Sequence, residues 1–323
     1  MSRRKTRPAG KPAPALPIGP LSTTYATVEL TGDNEDPNGV LLLLDGVQSS
    51  HLYLDDPARL MFEYMQQMMV VLRACYPEQE ALSVAHLGGA GCALPRAMAT
   101  LWPASRHLVA EIDGQLAAYV RDWFDLPRAP RLRIRVQDAR STVSGLQPGR
   151  GDAIIRDTFA GGAVPPHLRT LEFTQLAASR LAGRGVYLAN LADNPPLPVA
   201  RREAATVSSV FEHTAVIAEP GVLRGRRYGN VVLLGAHRPW PTGEIARRLR
   251  TLAPTARLVH GRDLADFIGS ALPFSDPPEP QQWRAGAAAT GSSESAEQRL
   301  ASMLPDTRED PDAEIPIRPL DPA

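Results

Sequence analysis

Downstream of residue 80, the chain alternates short, almost continuous apolar runs with longer stretches whose apolar residues recur every three or four positions. Such apolar runs predict buried strands, and the three-to-four spacing predicts helices. The predicted strands are Leu82–Leu87, His107–Ile112, Leu132–Val136, Ala153–Arg156, Gly185–Asn190, Thr214–Ala218 and Asn230–Leu234. The predicted helices are Leu94–Trp102, Gly114–Trp123, His167–Leu181 and Pro198–Phe211. This alternation predicts an α/β fold with a parallel, doubly wound sheet.

The last two predicted strands, Thr214–Ala218 and Asn230–Leu234, are joined by a loop too short for a helical crossover. Strands connected in this way pair antiparallel. We therefore expect a C-terminal antiparallel hairpin at the edge of the sheet. That ending is typical of the methyltransferase-type variant of the Rossmann-like, nucleotide-binding fold.

The beginning of the chain has a different pattern. Thr24–Leu30 alternates apolar and polar residues, Val40–Asp45 is a compact apolar run, and His51–Leu54 is a third short segment. Together they predict a small antiparallel sheet of two or three strands within residues 21–55. A sheet of this size is barely stable alone, so we expect it to pack on its neighbour or on a partner chain.

Asp56 and Pro57 are residues typical of a helix N-cap and a first helical position, so they predict that a helix begins there. Its apolar face would carry four residues at helical spacing: Met61, Met65, Met68 and Leu72. A helix packed on the sheet explains this stripe better than a methionine contact to a cofactor. We expect the Rossmann-like domain to span residues 56–272.

Both ends of the chain are poor in large apolar groups. Residues 1–20 are basic and proline-rich, and residues 273–323 are proline-rich and acidic. Neither segment buries enough apolar surface to offset the entropy of ordering, so both are predicted to be disordered.

Composition narrows the range of functions. The chain has 35 Lys+Arg and 35 Asp+Glu, so no overall charge draws it to nucleic acid or to a membrane. No apolar run reaches the roughly 20 residues of a membrane-spanning helix, and the basic N-terminus lacks the apolar segment of a signal peptide. We expect a cytoplasmic protein. The 7 histidines are scattered without close pairs, and 2 cysteines cannot form a four-thiolate site, so no metal is predicted.

Ligands of open α/β sheets bind outside the carboxyl ends of the strands. After the first strand of the large sheet come Gly88, Gly89 and Gly91, running into a helix. Small residues there let the backbone approach a ligand and present helix N-terminal amides. The turn lacks the full G-x-G-x-x-G spacing, which argues against an ordinary dinucleotide site.

The next two strands end in carboxylates. Glu111 follows the glycine turn by about twenty residues, where an acid accepts hydrogen bonds from ribose hydroxyls. Asp138 and Ala139 lie at the end of the third strand, where an acid can accept a hydrogen bond from the exocyclic amine of adenine. Glycine turn, ribose acid and adenine acid on successive strands predict a nucleoside-bearing ligand; the alternative is a set of structural caps and turns.

The fourth strand ends at Asp157, and a carboxylate at this edge would lie beside the reactive end of the ligand. The alternative role is a helix cap or a loop carboxylate. His86 and Cys92, which flank the glycine turn, are better explained as packed side chains than as a catalytic base and a nucleophile.

These residues, in this order, resemble a known family. Asp45-Gly46, Gln48 and Tyr64 precede the glycine turn and the acids at the strand ends, as in spermidine synthases, the polyamine aminopropyltransferases. The resemblance covers residues 24–240. The sequence is still more similar to divergent spermidine synthase-like proteins, in which Asp-x-Phe replaces the Asp-Ser-Ser-Asp-Pro segment.

The resemblance implies that decarboxylated S-adenosylmethionine is the donor, an amine the small-molecule acceptor, and a homodimer the assembly. Gln48, Glu111, Asp138 and the glycine turn would hold the donor nucleoside. Asp157 would be the catalytic proton acceptor, because a neutral amine must attack the carbon next to the sulfonium. Tyr64 would lie on the acceptor side.

The acceptor half of the pattern departs from the family. Ala160 stands where the family has a second aspartate, and Met65 stands where it has histidine or glutamine. The loop after Ala218 carries Arg224, Arg226 and Arg227, which would repel a cationic acceptor and suit an anionic one. Arg224 and Arg227 are therefore also acceptor-side candidates.

Three functions remain open at this point. The first is aminopropyl transfer to an amine, and the second is methyl transfer from S-adenosylmethionine to an anionic acceptor. The third is a non-catalytic nucleoside-binding or assembly module that kept the fold and lost the acceptor chemistry.

Overall fold

The computed structural model of the chain describes residues 16–277. It begins with a small antiparallel sheet, in the order β1-β2-β3-β4, as predicted. The strands are β1 (Leu21–Ser22), β2 (Thr27–Gly32), β3 (Gly39–Leu44) and β4 (Val47–Tyr53). There are four strands rather than two or three, because tight turns close both outer hairpins. Asp45 and Gly46 adopt positive φ between β3 and β4, and Thr23 N donates to Ala26 O at 2.8 Å between β1 and β2.

Eight strands form the central sheet. They are β5 (Ser83–Leu87), β6 (Arg106–Glu111), β7 (Leu132–Val136), β8 (Gly151–Arg156), β9 (Leu181–Asp193), β10 (His213–Ala218), β11 (Gly229–Ala236) and β12 (Arg257–His260). Their spatial order is β12-β10-β11-β9-β8-β5-β6-β7. The five strands from β9 to β7 pair in parallel, and the remaining three pair antiparallel.

Helices cover both faces of this sheet. They are α1 (Glu63–Cys75), α2 (Ala93–Leu101), α3 (Gly114–Trp123), α4 (Ala139–Ser144), α5 (Leu171–Arg180), α6 (Pro198–Ser208), α7 (Pro220–Leu223), α8 (Thr242–Leu249) and α9 (Gly261–Ile268), with a 3-10 turn at Pro166–Leu168. The predicted methyltransferase-type, Rossmann-like fold is confirmed. Among residues 16–277, no helix has the length and apolar character needed to cross a bilayer.

The C-terminal hairpin has the predicted antiparallel pairing but not the predicted position. β10 and β11 pair as expected, yet β11 lies between β10 and β9, and β12 forms the edge of the sheet. β12 has only four residues and a charged or polar residue at each end, so its apolar signal is too short to identify from the sequence.

The helix predicted at Asp56 begins later. α1 starts at Glu63, and the Asp56 carboxylate instead accepts a hydrogen bond from Ala58 N at 3.1 Å, which makes a local turn. Aspartate favours such turns as well as helix caps, because its side chain reaches the backbone two residues on. Met61 consequently lies outside the helix and is exposed, whereas Met65 and Met68 are buried as predicted.

Side chains of β8 alternate between two hydrophobic layers. Ile155 packs in the layer that contains Met68 of α1 and Leu42 and Leu52 of the small sheet. Ile154 packs in the opposite layer, with residues of α5 and α6. The small sheet thus buries its apolar face on the larger one, as expected for a sheet that cannot stand alone.

The C-terminal clasp, residues 272–276, contradicts the prediction that disorder begins at 273. The Phe274 ring lies between the guanidiniums of Arg202 and Arg169, whose Cζ atoms are 3.8 and 4.4 Å from its centroid. Phe274 O accepts from Leu171 N at 2.8 Å, and Asp276 forms a two-point ion pair with Arg140. The other residues of the two predicted tails, apart from 16–20 and 277, lie outside the described part of the chain.

We expect Phe274→Ala to lower the free energy of unfolding by about 1–2 kcal/mol, because it removes two cation–π contacts and part of a packed surface. Urea denaturation of the full chain measures this change. Leu272→Ala is the matched control in the same segment: its side chain is 74% exposed, so the loss should stay below about 0.5 kcal/mol. Equal effects of the two substitutions would contradict the clasp.

Candidate functional site

Four strand ends meet at one edge of the central sheet. β8, β5, β6 and β7 are consecutive neighbours and run in parallel, so the segments after them lie side by side. In spatial order these segments carry Asp157, the glycine turn, Glu111 and Asp138. The arrangement brings together the residues that the sequence assigned to a nucleoside-bearing ligand and to the acceptor base.

The glycine turn approaches the Asp157 backbone very closely. Gly88 has φ +83°, and a Cβ placed there would lie 2.2 Å from the carbonyl oxygen of Asp157. Asp157 N donates to Leu87 O at 2.8 Å, and Gly88 N donates to Ala110 O at 2.9 Å. Only glycine fits this position. The two hydrogen bonds connect the end of β5 to its neighbours β8 and β6.

The Glu111 carboxylate is held by backbone amides. One oxygen, Oε2, accepts from Gly89 N at 3.3 Å and Ala90 N at 3.2 Å, while Oε1 accepts from Asp113 N at 3.1 Å. Burial raises the pKa of Glu111 above its ordinary value, and these amides oppose the rise. A carboxylate oxygen accepts about two hydrogen bonds, so Oε1, which accepts one, keeps capacity for a hydroxyl donor.

The small sheet forms one wall of the site. Gly91 N donates to Ser50 Oγ of β4 at 3.0 Å, and Tyr25 N donates to Asp113 Oδ2 at 3.1 Å. Gln48, predicted to hold the nucleoside, lies on β4 close to Ser50, and its side chain is exposed. The two contacts fix β4 and the turn before β2 against the glycine turn and the end of β6.

Asp138 has both carboxylate oxygens engaged. Oδ1 accepts from Ser141 N at 2.9 Å as the cap of α4, whose first residue is the buried Ala139, and Oδ2 lies 2.9 Å from His167 Nε2. Burial acts to raise the pKa of Asp138, but the hydrogen bonds from Ser141 and His167 outweigh it and the pKa is lowered. Asp138 is therefore a helix cap, and its carboxylate stays ionised at the edge of the site.

Asp157 lies at the centre of a three-residue contact on the other side of the glycine turn. Tyr64 Oη, on α1, donates to Asp157 Oδ2 at 2.8 Å. Asn190 Nδ2, on β9, donates to Asp157 Oδ1 at 3.0 Å. Burial raises the pKa of Asp157, and the hydrogen bonds from Asn190 and Tyr64 oppose the rise. Burial also raises the pKa of Tyr64, so its hydroxyl stays protonated and donates.

Two polar atoms beside Asp157 are buried without a hydrogen-bond partner among the described residues. They are Asn190 Oδ1 and Thr158 Oγ1. Buried polar atoms are almost always paired in proteins, and unpaired ones mark places where a ligand or an ordered water supplies the partner. Neither atom reaches the surface, so the half-buried Asp157 carboxylate is the group that this region offers to a donor such as an amine.

The arginines of the late loop lie farther along the same edge. Arg227 pairs with Glu219 inside the loop, so its charge is locally compensated. Arg224 and Arg226 are exposed and form no ion pair within residues 16–277. Ala160 lies in a tight turn, bridged to Ala163, in which Gly161 and Gly162 have positive φ. No second carboxylate replaces the aspartate that the resemblance implies at this turn.

His86 and Cys92 are packed side chains, as the sequence suggested. Both are buried, and burial raises the pKa of the Cys92 thiol to about 12, which leaves it protonated and unreactive. His86 Nε2 lies 3.2 Å from His107 Nδ1, and burial holds the pKa of His86 well below its ordinary value. The described residues contain no cluster of three His, Cys, Asp or Glu side chains that could hold a metal ion.

Three residues of the site were not identified from the sequence: Asn190, Ser50 and His167. Asn190 carried a signal, because it is the polar last residue of a predicted buried strand whose carboxyl end lies at this edge. Ser50 and His167 contact residues 41 and 29 positions away, and no local pattern reports such contacts.

We expect Gly88→Ala to destabilise the protein by about 3 kcal/mol, because it adds a clash with the Asp157 carbonyl to the strain of a positive φ. Gly149→Ala is the matched control: it has φ +67° and no atom within 4 Å, so strain alone should cost about 1 kcal/mol. Thermal and urea unfolding measure both. A loss at Gly88 no larger than at Gly149 would contradict the close approach.

Known proteins share this fold and part of this sequence. Over 155 residues, 47% of this chain, the sequence is 31% identical to a polyamine aminopropyltransferase of Vibrio vulnificus, and the match spans 50% of that protein. The chain thus matches about half the length of that curated relative. No protein-family model matches the chain.

Solved structures extend the likeness to the whole fold. A probable spermidine synthase from Corynebacterium glutamicum is 37% identical, with a TM-score of 0.78 over 83% of this chain and 99% of that one. A spermidine synthase in complex with the transition state analogue AdoDATO, 18% identical, shares the fold with a TM-score of 0.51 over 72% of this chain and 77% of that one. The chain therefore belongs to the spermidine synthase family of polyamine aminopropyltransferases, as its ordered series of motifs predicted.

Proposed function

We propose that this protein transfers an aminopropyl group from decarboxylated S-adenosylmethionine to a small amine. The observation that carries the proposal is the Asp157 carboxylate, held by Tyr64 and Asn190 beside the glycine turn. Aminopropyl transfer needs a positioned carboxylate next to a nucleoside site, and Asp157, beside the glycine turn, would meet that need. The likeness to a polyamine aminopropyltransferase supports the same reaction class.

The donor side of the proposal rests on the neighbouring strand ends. Glu111 is held in one orientation by three backbone amides and would accept hydrogen bonds from the ribose hydroxyls. Asp138, fixed by Ser141 and His167, would accept a hydrogen bond from the exocyclic amine of adenine. Gln48 and the backbone of the glycine turn would complete the cradle. The complex of a family member with AdoDATO supports a donor of this class.

The reaction is a single displacement. The lone pair of a neutral amine attacks the aminopropyl carbon next to the sulfonium, a C–N bond forms and the C–S bond breaks. The bonding pair returns to sulfur, which leaves as the thioether methylthioadenosine. The nitrogen then carries one proton too many, and Asp157 accepts it. Tyr64 and Asn190 keep the carboxylate oriented.

The raised pKa of Asp157 predicts the direction of the pH dependence. Only the ionised carboxylate accepts a proton, so activity should increase as the pH rises through a pKa that burial has moved above the usual 3.8. The amine also loses its proton as the pH rises, which adds a second increase at higher pH. Both effects have the same sign, so kcat/KM should fall on the acidic side.

We expect Asp157→Asn to reduce kcat with putrescine about 10²–10⁴-fold, because it removes the proton acceptor and keeps the size of the side chain. Tyr64→Phe should reduce kcat about tenfold, since it removes a hydrogen bond to a charged group. Both variants should bind methylthioadenosine as the unaltered protein does. Turnover of the decarboxylated donor with a set of diamines, and calorimetric titration of the nucleoside, measure these effects.

Asp263→Asn is the control for this experiment. Asp263 forms an exposed ion pair with Arg257 on the helix after the last strand, so its loss should leave kcat unchanged. Turnover by Asp157→Asn at the rate of the control, or no turnover of any diamine by the unaltered protein, would reject aminopropyl transfer.

The exposed Arg224 and Arg226 favour a second candidate, methyl transfer from S-adenosylmethionine to an anionic acceptor. Nucleoside titration separates the two: aminopropyl transfer predicts tighter binding of methylthioadenosine, and methyl transfer predicts tighter binding of S-adenosylhomocysteine. If neither nucleoside binds or raises the melting temperature, the chain is the non-catalytic module that the sequence also allowed.

A further inference from the structure

A buried ion pair involves the residue that directly precedes the candidate base, Asp157, in the chain. Arg156, the last residue of β8 and the neighbour of Asp157 in the chain, is 0% exposed. Its Nη2 donates to Oε2 of Glu203, a buried residue of α6. Neither residue contributes to the donor or acceptor contacts described above, and their position in the interior is unusual for charged groups.

Stability does not explain this pair. Arg156 Nε and Nη1 and Glu203 Oε1 are buried without hydrogen-bond partners among the described residues. A buried pair whose remaining donors and acceptors are unsatisfied repays little of its desolvation cost, and apolar residues of the same size often stabilise a protein better. The surrounding residues on this face, such as Ile154 and Ala204, form an apolar layer that such a replacement would extend.

The geometry connects the pair to Asp157. Successive side chains of a strand point to opposite faces, so the Arg156 guanidinium enters the layer of α6 while the Asp157 carboxylate meets Tyr64 of α1. Their Cα atoms are about 3.8 Å apart. Glu203 contacts the guanidinium from α6, in the helix layer. Arg156 is therefore the member of the pair that adjoins Asp157 in the chain, and each of these two charges affects the pKa of the other.

Within residues 16–277, few other charged groups lie close to Asp157 and the ion pair. From α1, Tyr64 touches Asp157 and Glu63 influences Tyr64; from β9, Tyr187 lies beside Arg156 and Asn190 is uncharged. Arg169 and Asp193 lie near Glu203. The charge of Arg156 acts to lower the pKa of Asp157, against the larger effect of burial.

We propose that the Arg156–Glu203 pair is a positioning device for the proposed aminopropyl transfer: Arg156 keeps the Asp157 carboxylate ionised in its half-buried setting, and Glu203 holds the guanidinium in place and limits its effect. Both residues act through Asp157 and touch no substrate. The inference rests on the proposed function, in which an ionised Asp157 accepts the proton of the amine.

The pair allows a test based on the sign of the change. Arg156→Met removes the adjoining positive charge and should raise the acidic pKa of the kcat/KM profile by about one pH unit. Glu203→Gln removes the opposing negative charge and should lower it. Arg156→Lys should restore the profile toward that of the unaltered protein. Arg257→Met, which removes an arginine from an exposed ion pair, should leave it unchanged.

A second measurement does not depend on activity. The ¹³C carboxyl signal of Asp157, assigned by its absence in Asp157→Asn, titrates with the same pKa in protein labelled at aspartate. If the unaltered protein transfers no aminopropyl group, the proposed function fails, and the carboxyl titration still tests the pair. Binding of methylthioadenosine reports whether each variant keeps the donor site folded.

Single substitutions of a buried pair can prevent folding, so the double variant Arg156→Met/Glu203→Gln completes the set. It leaves no unpaired charge, and the Asp157 pKa should lie between the values of the single variants. Opposite shifts in the two single variants, or an intermediate shift in the double variant, support the proposal. Folded variants whose Asp157 pKa does not move, or moves in the same direction for both charges, overturn it.

Discussion

The contact between Gly88 and the carbonyl of Asp157 is the constraint on which the site depends. A backbone that approaches this closely leaves no room for a Cβ, and hydrogen bonds from Asp157 N and Gly88 N extend the contact to the strands on both sides. Three strand ends are thereby held side by side. The proposed donor cradle and the candidate base share the same turn, so the distance between them is determined by the backbone rather than by flexible side chains.

The two central carboxylates are half-buried and are held in different ways. Glu111 receives its hydrogen bonds from backbone amides, which are rigid and fixed in number. Asp157 receives its hydrogen bonds from the side chains of Tyr64 and Asn190, and the residue before it, Arg156, carries a buried guanidinium. An acid held by the backbone suits binding, because its geometry is constant. An acid held by side chains suits proton transfer, because its hydrogen bonds can adjust as its charge changes.

Peripheral elements hold the rims of this site in place. The small sheet contacts it through Ser50 and Tyr25, and the C-terminal clasp reaches it through Arg140, which donates to His167 O at 3.1 Å. His167 in turn contacts Asp138. Segments near the beginning and the end of the described chain therefore contact the loops beside Glu111 and Asp138.

The amino-acid sequence by itself determined the fold class, the order of the first seven large-sheet strands along the chain, the small sheet and the acids at the strand ends, because local periodicity and turn residues encode them. Only the tertiary structure decided the edge position of β12, the start of α1, the clasp at Phe274 and the partners of Asp157. Tyr64 is 93 residues from Asp157 and Glu203 is 47 residues from Arg156. Contacts over such distances depend on how strands and helices pack, and no local pattern of apolar and polar residues records them.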